Sequence, residues 1–524
     1  MKRYIAYIIC ALFAVAVAPG CGEDTTEIRI VEPEGQFPDY GEALAFPGAA
    51  GFGRYATGGR GGEVYRVTTT ELTGEGSISD AVSKSGRIIV FDVAGRIDLN
   101  KGTLVLKSNQ TLLFQTAPAP GIVLYNGRVS SSGASNLIVR YMRVRCGRQA
   151  SSNDNLDAAG LASGKDVIYD HCSFTWGTDE NFSINADNKG TRPQNITIQN
   201  CIIGQGCMNH SAGGLLQTNT DEGVTIYRNL FIDNGTRNFK IKGLNQYVNN
   251  VVYNWGDGAY IMGGDSSGES DTQIENNYFI YGPCWVWRNT PAAEVSEEVK
   301  NNPEICSPAG SDGKYFEVLR QEKPSTPFTR GNEGFSTYCV GNYCDNNLDG
   351  VLNGEEITRD NWTSYYNDPE KFPTFLSAPG RLHPALPEMM TAAEAYEWIV
   401  DNVGSTLPAR DRVDAFMIEE LQSLGLKGTI LRDQRKALQY HYEGGAGVFD
   451  QWLNDFAEPV AVTPPLDTDG DGMPDEWEDA HGLDKNDPAD GAKLAENGYT
   501  NVENYFFELE ARMFTDDSQM IANN

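Results

Sequence analysis

Three cationic side chains lie close together in a chain that is otherwise strongly acidic. Arg237, Lys240 and Lys242 belong to a protein of 524 residues whose formal net charge is −31. Such a chain has no general basic face for nucleic acid, and it repels other polyanions unless a local cationic patch or a bound metal offsets its charge. Alternation along an extended strand would place Lys240 and Lys242 on one face. We therefore interpret the three cations as a binding site for an anionic group rather than as a solvated strand face.

A run of acidic residues near the C-terminus has the spacing of ligands around a calcium ion. In residues 467–478, side-chain oxygens stand at loop positions 1, 3, 5, 9 and 12, and a main-chain carbonyl stands at position 7. Gly472 occupies position 6, where the loop must turn sharply. This is the pattern of an EF-hand loop, and it predicts Ca²⁺ binding. The predicted ligands are Asp467, Asp469, Asp471, Met473 through its carbonyl, Asp475 and Glu478.

Residues 345–356 satisfy the same calcium-loop pattern. No helix is evident before this loop, whereas an EF-hand has a helix on each side. An acidic, asparagine-rich turn without a metal is therefore an equal alternative. The possible ligands are Asp345, Asn347, Asp349, Val351 through its carbonyl, Asn353 and Glu356.

Short strands with alternating apolar residues, rather than helices, form most of the chain between about residues 45 and 390. Five of these strands repeat at steps of 22 to 29 residues. That period predicts a parallel β-helix, in which like residues of successive coils stack and asparagines at a bend bond to their neighbours. A β-propeller is the alternative, but its blades are longer and have four strands each. The equivalent bend positions are His171, Asn200, Arg228, Asn250 and Asn276.

Four segments carry distinctive sequences in a fixed order: 58–62 (Gly-Gly-Arg-Gly-Gly), 88–95 (Ile-Ile-Val-Phe-Asp-Val-Ala-Gly), 169–180 (Tyr-Asp-His-Cys-Ser-Phe-Thr-Trp-Gly-Thr-Asp-Glu) and 249–256 (Asn-Asn-Val-Val-Tyr-Asn-Trp-Gly). Together they resemble polysaccharide lyase family 1, the pectate and pectin lyases, over about residues 45–456. The resemblance implies an all-β fold, a right-handed parallel β-helix. It also implies cleavage of α-1,4-polygalacturonate, in which the C5 proton is removed and the O4 oxygen leaves. The products would be 4,5-unsaturated oligogalacturonates.

The resemblance further implies a Ca²⁺ site that neutralises the substrate carboxylate. Asp157 and Asp179 match two of the family's calcium-binding acids, and Asn155 and Ser183 align with the other two. Because Asn155 and Ser183 are neutral, we expect the resting site to bind Ca²⁺ more weakly and to recruit it together with substrate.

The same resemblance assigns the cationic cluster. Arg237 matches the family's base and Lys242 its substrate-binding residue, with Lys240 beside it, whereas Ala212 stands where members often have a substrate-binding lysine. That departure leaves open a pectin-binding protein without catalysis. A lyase for methyl-esterified pectin, which would not need Ca²⁺ at the cleavage site, is the other alternative. A pectin hydrolase is disfavoured because Arg237 has no role in hydrolysis.

The N-terminal residues indicate export. Lys2 and Arg3 precede an apolar run over 5–18, and Cys21 stands where a bacterial lipobox cysteine is acylated. We expect a lipoprotein signal peptide over 1–20 and a monomer anchored through Cys21 to the bacterial outer membrane; a plain secretory signal is the alternative. The expected further parts are an acidic tether (21–44), the β-helix (45–390), a helical part packing on it (391–456) and an EF-hand-like module (466–515).

Overall fold

The computed structural model describes residues 37–147, 155–186, 189–207, 210–302, 306–308, 313–320, 324–368, 370–431, 433–435 and 449–522. The expected signal peptide, Cys21 and most of the expected tether lie outside these ranges. Among the residues that the structure describes, no helix is both long enough and apolar enough to cross a lipid bilayer.

Parallel strands stack in three sheets around one apolar core, and successive coils of the chain add strands to each sheet. The predicted right-handed parallel β-helix is confirmed. Strand Lys240–Val248 belongs to both sheet 1 and sheet 3. Sheet 1 contains Glu63–Val67, Arg87–Phe91, Gln110–Leu113, Ser135–Arg140, Gly164–Asp170, Pro193–Gln199, Val224–Tyr227, Lys240–Val248, Ser270–Glu275, Phe335–Val340 and Thr374–Phe375.

Sheets 2 and 3 complete each coil. Sheet 2 contains Val93–Asp98, Ile122–Tyr125, Arg143–Arg145, Ser173–Thr175, Ile202–Gly204, Leu230–Ile232, Val251–Tyr253, Tyr278–Ile280 and Asn342–Asp345, with Glu355–Ile357 and Val460–Ala461 antiparallel at its two ends. Sheet 3 contains Thr103–Val105, Arg128–Ser130, Ala159–Leu161, Glu180–Asn185, Ala212–Gln217, the start of Lys240–Val248, Tyr260–Met262 and Phe328–Thr329. A separate sheet consists of Trp285–Pro291, Cys306–Pro308, Lys314–Arg320 and Thr429–Ile430.

Columns of like apolar residues hold the coils together. Each member pairs in register with the same position one coil away, and each is fully buried. Burying one side chain of this size contributes about 1.5–3 kcal/mol. One such column is Leu112, Val139, Tyr169, Ile198, Ile226, Tyr247 and Ile274.

The structure corrects one position in the alignment of the repeated strands, at the bend after sheet 1. The equivalent residue in the fourth of the compared coils is Asn249, with φ 55°, and not Asn250, because Asn245 rather than Gln246 pairs with Val224. Asparagine tolerates the left-handed conformation, so either of two adjacent asparagines could have filled the bend. His171, Asn200, Arg228 and Asn276 occupy the bend as predicted, with φ of 50°, 58°, 55° and 54°.

Asn250 lies one residue further on, in a buried asparagine ladder. Its Nδ2 donates to Oδ1 of Asn277 at 3.0 Å, and its Oδ1 accepts from Nδ2 of Asn229 at 3.0 Å. Nδ2 of Asn277 in turn donates to Oδ1 of Asn342 at 2.8 Å. The ladder satisfies polar groups that would otherwise be buried without partners.

Helices cover the outer face of sheet 2. Ala392–Asn402 begins at a capping box formed by Thr391 and Glu394. Apolar residues of this helix and of Arg412–Gln422 pack in one cluster with Ile202, Leu230 and Tyr253 of sheet 2. The other helical segments are Ile78–Ala81, Phe114–Thr116, Glu297–Lys300, Trp362–Ser364, Phe449–Trp452, Leu453–Phe456, Asp475–His481 and Asn501–Ala522.

The C-terminal residues pack on the outer face of sheet 1. Met473 and Trp477 share an apolar cluster with Ile88 and Val90 of an early coil. Helix Asn501–Ala522 adds an ion pair between Glu510 and Arg140, and Nε of Arg140 also donates to Asp170 Oδ2 at 2.9 Å. Apolar packing therefore joins the segment that contains Met473 and Trp477 to the β-helix, and a buried cation joins the terminal helix to it.

Candidate active site and calcium centres

A cavity of about 380 Å³ opens on the outer face of sheet 3. Residues from successive coils meet there, although they are far apart in the chain. Five of the residues that the sequence analysis singled out line it, together with five others. The lining residues are Asn155, Asp157, Asp179, Glu180, Ser183, Asn185, Lys189, His210, Leu215 and Arg237.

Strand alternation explains why this face is polar. Phe182 and Ile184 lie in the core, so Ser183 between them faces outward. In the next coils, Leu215 pairs with Ser183, and Lys240 pairs with Leu215. The outward column therefore leads from the cavity to the predicted substrate-binding lysines.

A short loop over 263–268 engages both lysines. Lys240 forms an ion pair with Asp265, and Nζ of Lys242 donates to the Ser267 carbonyl at 2.9 Å. The Lys242 residue is only 6% exposed. The two cations lie on one face, as strand alternation requires, and an anionic ligand would have to compete with Asp265 for Lys240.

The two acids of the predicted calcium site have different surroundings. Asp157 Oδ2 lies 3.6 Å from Nη2 of Arg128, and burial raises the pKa of Asp157 in spite of that cation. Burial acts on Asp179 in the same direction, but the contacts with His210 and Glu180 and the charge of Arg237 together outweigh it, so the pKa of Asp179 is lowered. Asp179 is thus held as a carboxylate at the mouth of the cavity.

Arg237 contacts a carboxylate that the sequence analysis did not select. Its Nη1 donates to Oε1 of Glu180, a residue that is 4% exposed. Burial, followed by repulsion from Asp179 and Asp157, raises the pKa of Glu180 to about 7. The Arg237 main chain has φ 54°, and its N–H donates to the Gly258 carbonyl at 3.0 Å. The only sequence signal for Glu180 is its position directly after Asp179.

The donors around this cavity fit a calcium ion. Ca²⁺ prefers hard oxygen ligands, and Asp157, Asp179 and Asn155 supply them. The hydroxyl oxygen of Ser183, a residue that is 6% exposed, is buried and has no hydrogen-bond partner among the residues that the structure describes. A bound cation would give that oxygen a partner.

Ala212 occupies the position where a substrate-binding lysine was expected, and other cationic side chains lie near the cavity. Ala212 is fully buried and pairs in register with Glu180. Lys189 lines the main cavity and also a second cavity of about 290 Å³, which Arg128 lines as well. The two cavities share Asp157 and Ser183 among their lining residues. They form a groove that contains cations from other coils.

The C-terminal loop forms a second and denser acidic cluster. Carboxylate oxygens of Asp467, Asp469 and Asp471 lie within 4.8 Å of one another, and so do those of Asp471, Glu478 and Asp490. Within the described part of the chain, both Glu478 oxygens and Oδ1 of Asp490 are buried without hydrogen-bond partners. Burial, with repulsion from Asp471, raises the pKa of Glu478 to about 8. These orphaned oxygens fit a divalent cation.

One residue of this centre was not predicted, because Asp490 lies outside the loop over 467–478. Asp475, a predicted ligand, accepts hydrogen bonds at 2.7 Å from the amide and the hydroxyl of Thr468. Asp475 begins helix Asp475–His481, and its role as a ligand stays a prediction. The side chain of Met473 is buried, as the apolar packing requires.

The loop over 345–356 closes on itself. The amide of Asn353 donates to Asp345 Oδ2 at 3.1 Å, and Nδ2 of Asn353 donates to Asp349 Oδ2 at 2.9 Å. Asn347 donates to Asn353 Oδ1 at 2.7 Å. Glu356 lies on strand Glu355–Ile357, where an EF-hand would begin its second helix. Metal binding by this loop stays a prediction.

Comparison with known proteins finds relatives of one kind, which are pectate lyases. No protein-family model matches the sequence. The chain is 40% identical over 462 residues to the "Probable pectate lyase C" of Aspergillus flavus and 41% identical over 462 residues to that of Aspergillus terreus, with 88% of this chain and 92% of the relative covered in each case. The crystal structure of jun a 1, the major allergen from cedar pollen, is similar at 17% identity and a TM-score of 0.45, covering 68% of this chain and 92% of that one.

Proposed function

This chain belongs to the pectate lyase family, and from that premise we propose how its own residues carry out the reaction. It is a polysaccharide lyase that cleaves polygalacturonate by β-elimination. The observation that carries the assignment of residues is the meeting of Arg237 with Asp157 and Asp179 in one cavity. A cation and a base are both needed there, because the C5 proton is acidic only when the neighbouring carboxylate is neutralised.

The proposed reaction uses these groups in order. Asp157 and Asp179, with the neutral oxygens of Asn155 and Ser183, would hold Ca²⁺, and the ion when bound would neutralise the galacturonate carboxylate. Arg237 would first lose a proton to solvent, and a nitrogen of the neutral guanidine would then take the C5 proton. The C5 electron pair then forms the C4–C5 double bond, and the bond from C4 to the glycosidic oxygen breaks. Water supplies the proton that the leaving oxygen requires.

Lys240 and Lys242 are proposed to hold substrate carboxylates beside the cleavage point. Both lie on the face that carries Ser183, on the strand two coils away, and Lys240 is in register with Ser183. A substrate carboxylate would replace Asp265 at Lys240, which exchanges one anionic partner for another at little electrostatic cost. Lys189 and Arg128 are available for further galacturonate units along the groove.

The test is release of unsaturated product from polygalacturonate, followed by the ultraviolet absorbance of the new double bond. Arg237→Ala should lower the rate by about 10²- to 10⁴-fold, the usual contribution of a general base. Arg512→Ala, an exposed arginine on the terminal helix, is the control and should keep full activity. Retained activity in Arg237→Ala would refute the assignment of the base.

The same assay separates the alternatives. Activity that a chelator does not reduce, together with preference for methyl-esterified substrate, would indicate a pectin lyase. Binding of oligogalacturonate without any product would indicate a pectin-binding protein. The neutral ligands Asn155 and Ser183 are the reason to test that second outcome.

We also propose that the chain is exported and anchored to the bacterial outer membrane through Cys21. The support is in the sequence alone, where Lys2 and Arg3 precede an apolar run and a lipobox-like cysteine. Metabolic labelling with a fatty-acid analogue should mark the protein, and Cys21→Ser should abolish the label. An unlabelled but secreted wild-type protein would favour the plain signal peptide.

A further inference from the structure

The calcium site inferred from the family contains too little negative charge. Of its four expected ligands, Asn155 and Ser183 are neutral, so only Asp157 and Asp179 balance a divalent ion. Affinity for Ca²⁺ depends on the number of charged ligands and on the rigidity of the site. A third carboxylate within reach would restore the missing charge.

Glu180 lies close enough to both predicted acids to be that third carboxylate. Ligand atoms of Asp179, Glu180 and His210 all lie within 4.8 Å of one another. The Glu180 amide donates to Asp157 Oδ1 at 3.4 Å, so Glu180 adjoins both predicted acids. An independent observation marks the same cavity as a ligand site, because the hydroxyl of Ser183 is buried there without a partner.

Glu180 also has an unusual place in its strand. It precedes Phe182 and Ile184, which face the core, and it is 4% exposed. A buried carboxylate is costly unless it is paired, and its partner here is Arg237. The same carboxylate therefore lies between the proposed base and the proposed cation site.

We propose that Glu180 is a third carboxylate ligand of the active-site cation, and that binding of the cation draws it away from Arg237. Without the ion, Nη1 of Arg237 donates to Glu180 and cannot approach a substrate proton. With the ion, Glu180 turns to the metal and that nitrogen becomes available. Glu180 thereby compensates for Asn155 and Ser183 and couples the base to occupancy of the site.

This inference rests on the proposed function, so its test measures metal binding without substrate. Calorimetric titration of the full chain with Ca²⁺ would compare wild type, Glu180→Gln and Glu222→Gln. Glu222 is a matched control because it is also buried and paired with an arginine, Arg192, on another coil. Glu180→Gln should weaken one site by at least about tenfold, whereas Glu222→Gln should bind as wild type does. Glu180→Asp, which keeps the charge, should restore part of the affinity and tests the idea even if Glu180→Gln folds poorly.

The outcomes are distinguishable. Unchanged Ca²⁺ binding in Glu180→Gln would overturn the inference. If lyase activity also fell while Ca²⁺ binding stayed unchanged, Glu180 would be a residue that positions Arg237 and not a ligand. Weakened binding in Glu180→Gln, in a protein whose wild type releases no unsaturated product, would uphold the ligand and refute the lyase function instead.

Discussion

Removing one carboxylate from the C-terminal cluster should abolish the stability that the protein gains when Ca²⁺ binds there. Glu478→Gln deletes the charge of a side chain whose two oxygens are buried without partners. A ligand present at about 100 times its Kd stabilises the folded state by about 2.7 kcal/mol. Excess Ca²⁺ should therefore stabilise wild type by about 2–3 kcal/mol over its calcium-free form, and it should not stabilise a variant that no longer binds the ion.

Without calcium, the difference in stability between the two proteins should depend on pH. Burial and repulsion from Asp471 raise the pKa of Glu478 to about 8 in the folded chain, from an ordinary value of 4.5. The folded state then binds a proton that the unfolded chain has lost, so stability falls as pH rises through this window. At pH 4 the side chain is protonated in both the folded and the unfolded chain and resembles glutamine, so the two proteins should melt together; at pH 8 most of that stability has been lost from wild type and the variant should be the more stable.

Thermal unfolding with Ca²⁺ and with a chelator, at both pH values, measures these differences. Glu476→Gln is the control, because Glu476 lies exposed on the same helix. Its calcium-dependent shift in Tm should equal that of wild type. An equally large calcium-dependent shift in Glu478→Gln would refute the reasoning, and so would a wild-type protein as stable as the variant at pH 8 in chelator.

Three further changes test the fold and the site. Asn250→Ala removes a side chain that makes four hydrogen bonds in the ladder, and at about 1 kcal/mol each it should lower the free energy of unfolding by about 4 kcal/mol, measured by denaturant titration. Lys242→Ala should raise KM for polygalacturonate by about 10- to 100-fold with a smaller change in kcat, and an unchanged KM would exclude a role in binding. Glu510→Gln weakens the ion pair with Arg140, and hydrogen exchange should increase in helix Asn501–Ala522 while the core strands stay protected.

The β-helix was predictable because its signal repeats. Strands with buried alternating residues recur in every coil, so an error in one coil does not change the fold. The register was less secure, as the exchange of Asn249 and Asn250 illustrates. Adjacent asparagines suit a left-handed bend equally well, and only the hydrogen bonds of the ladder decide which of them turns inward.

The site was predictable where stacking alone brings residues together. Asp157 and Asp179 lie on adjacent coils and Arg237 lies two coils further on, so stacking brings these motif positions together in one cavity. Glu180 and Asp490 were missed for a different reason. The role of Glu180 depends on where its side chain turns, and that of Asp490 on the path of the chain after helix Asp475–His481. The spacing of residues in the sequence predicts neither.

Calcium dependence in this enzyme should therefore have two separable origins. The cluster around Glu478 joins the terminal helix to sheet 1, whereas the cavity around Asp179 lies on sheet 3, so loss of calcium at the first should act on stability and at the second on turnover. Activity measured well below Tm should respond to Glu180→Gln and not to Glu478→Gln, and Tm should respond in the opposite way. If both variants lowered turnover equally at low temperature, the two centres would be coupled through the β-helix, and the separation argued from their places in the fold would be wrong.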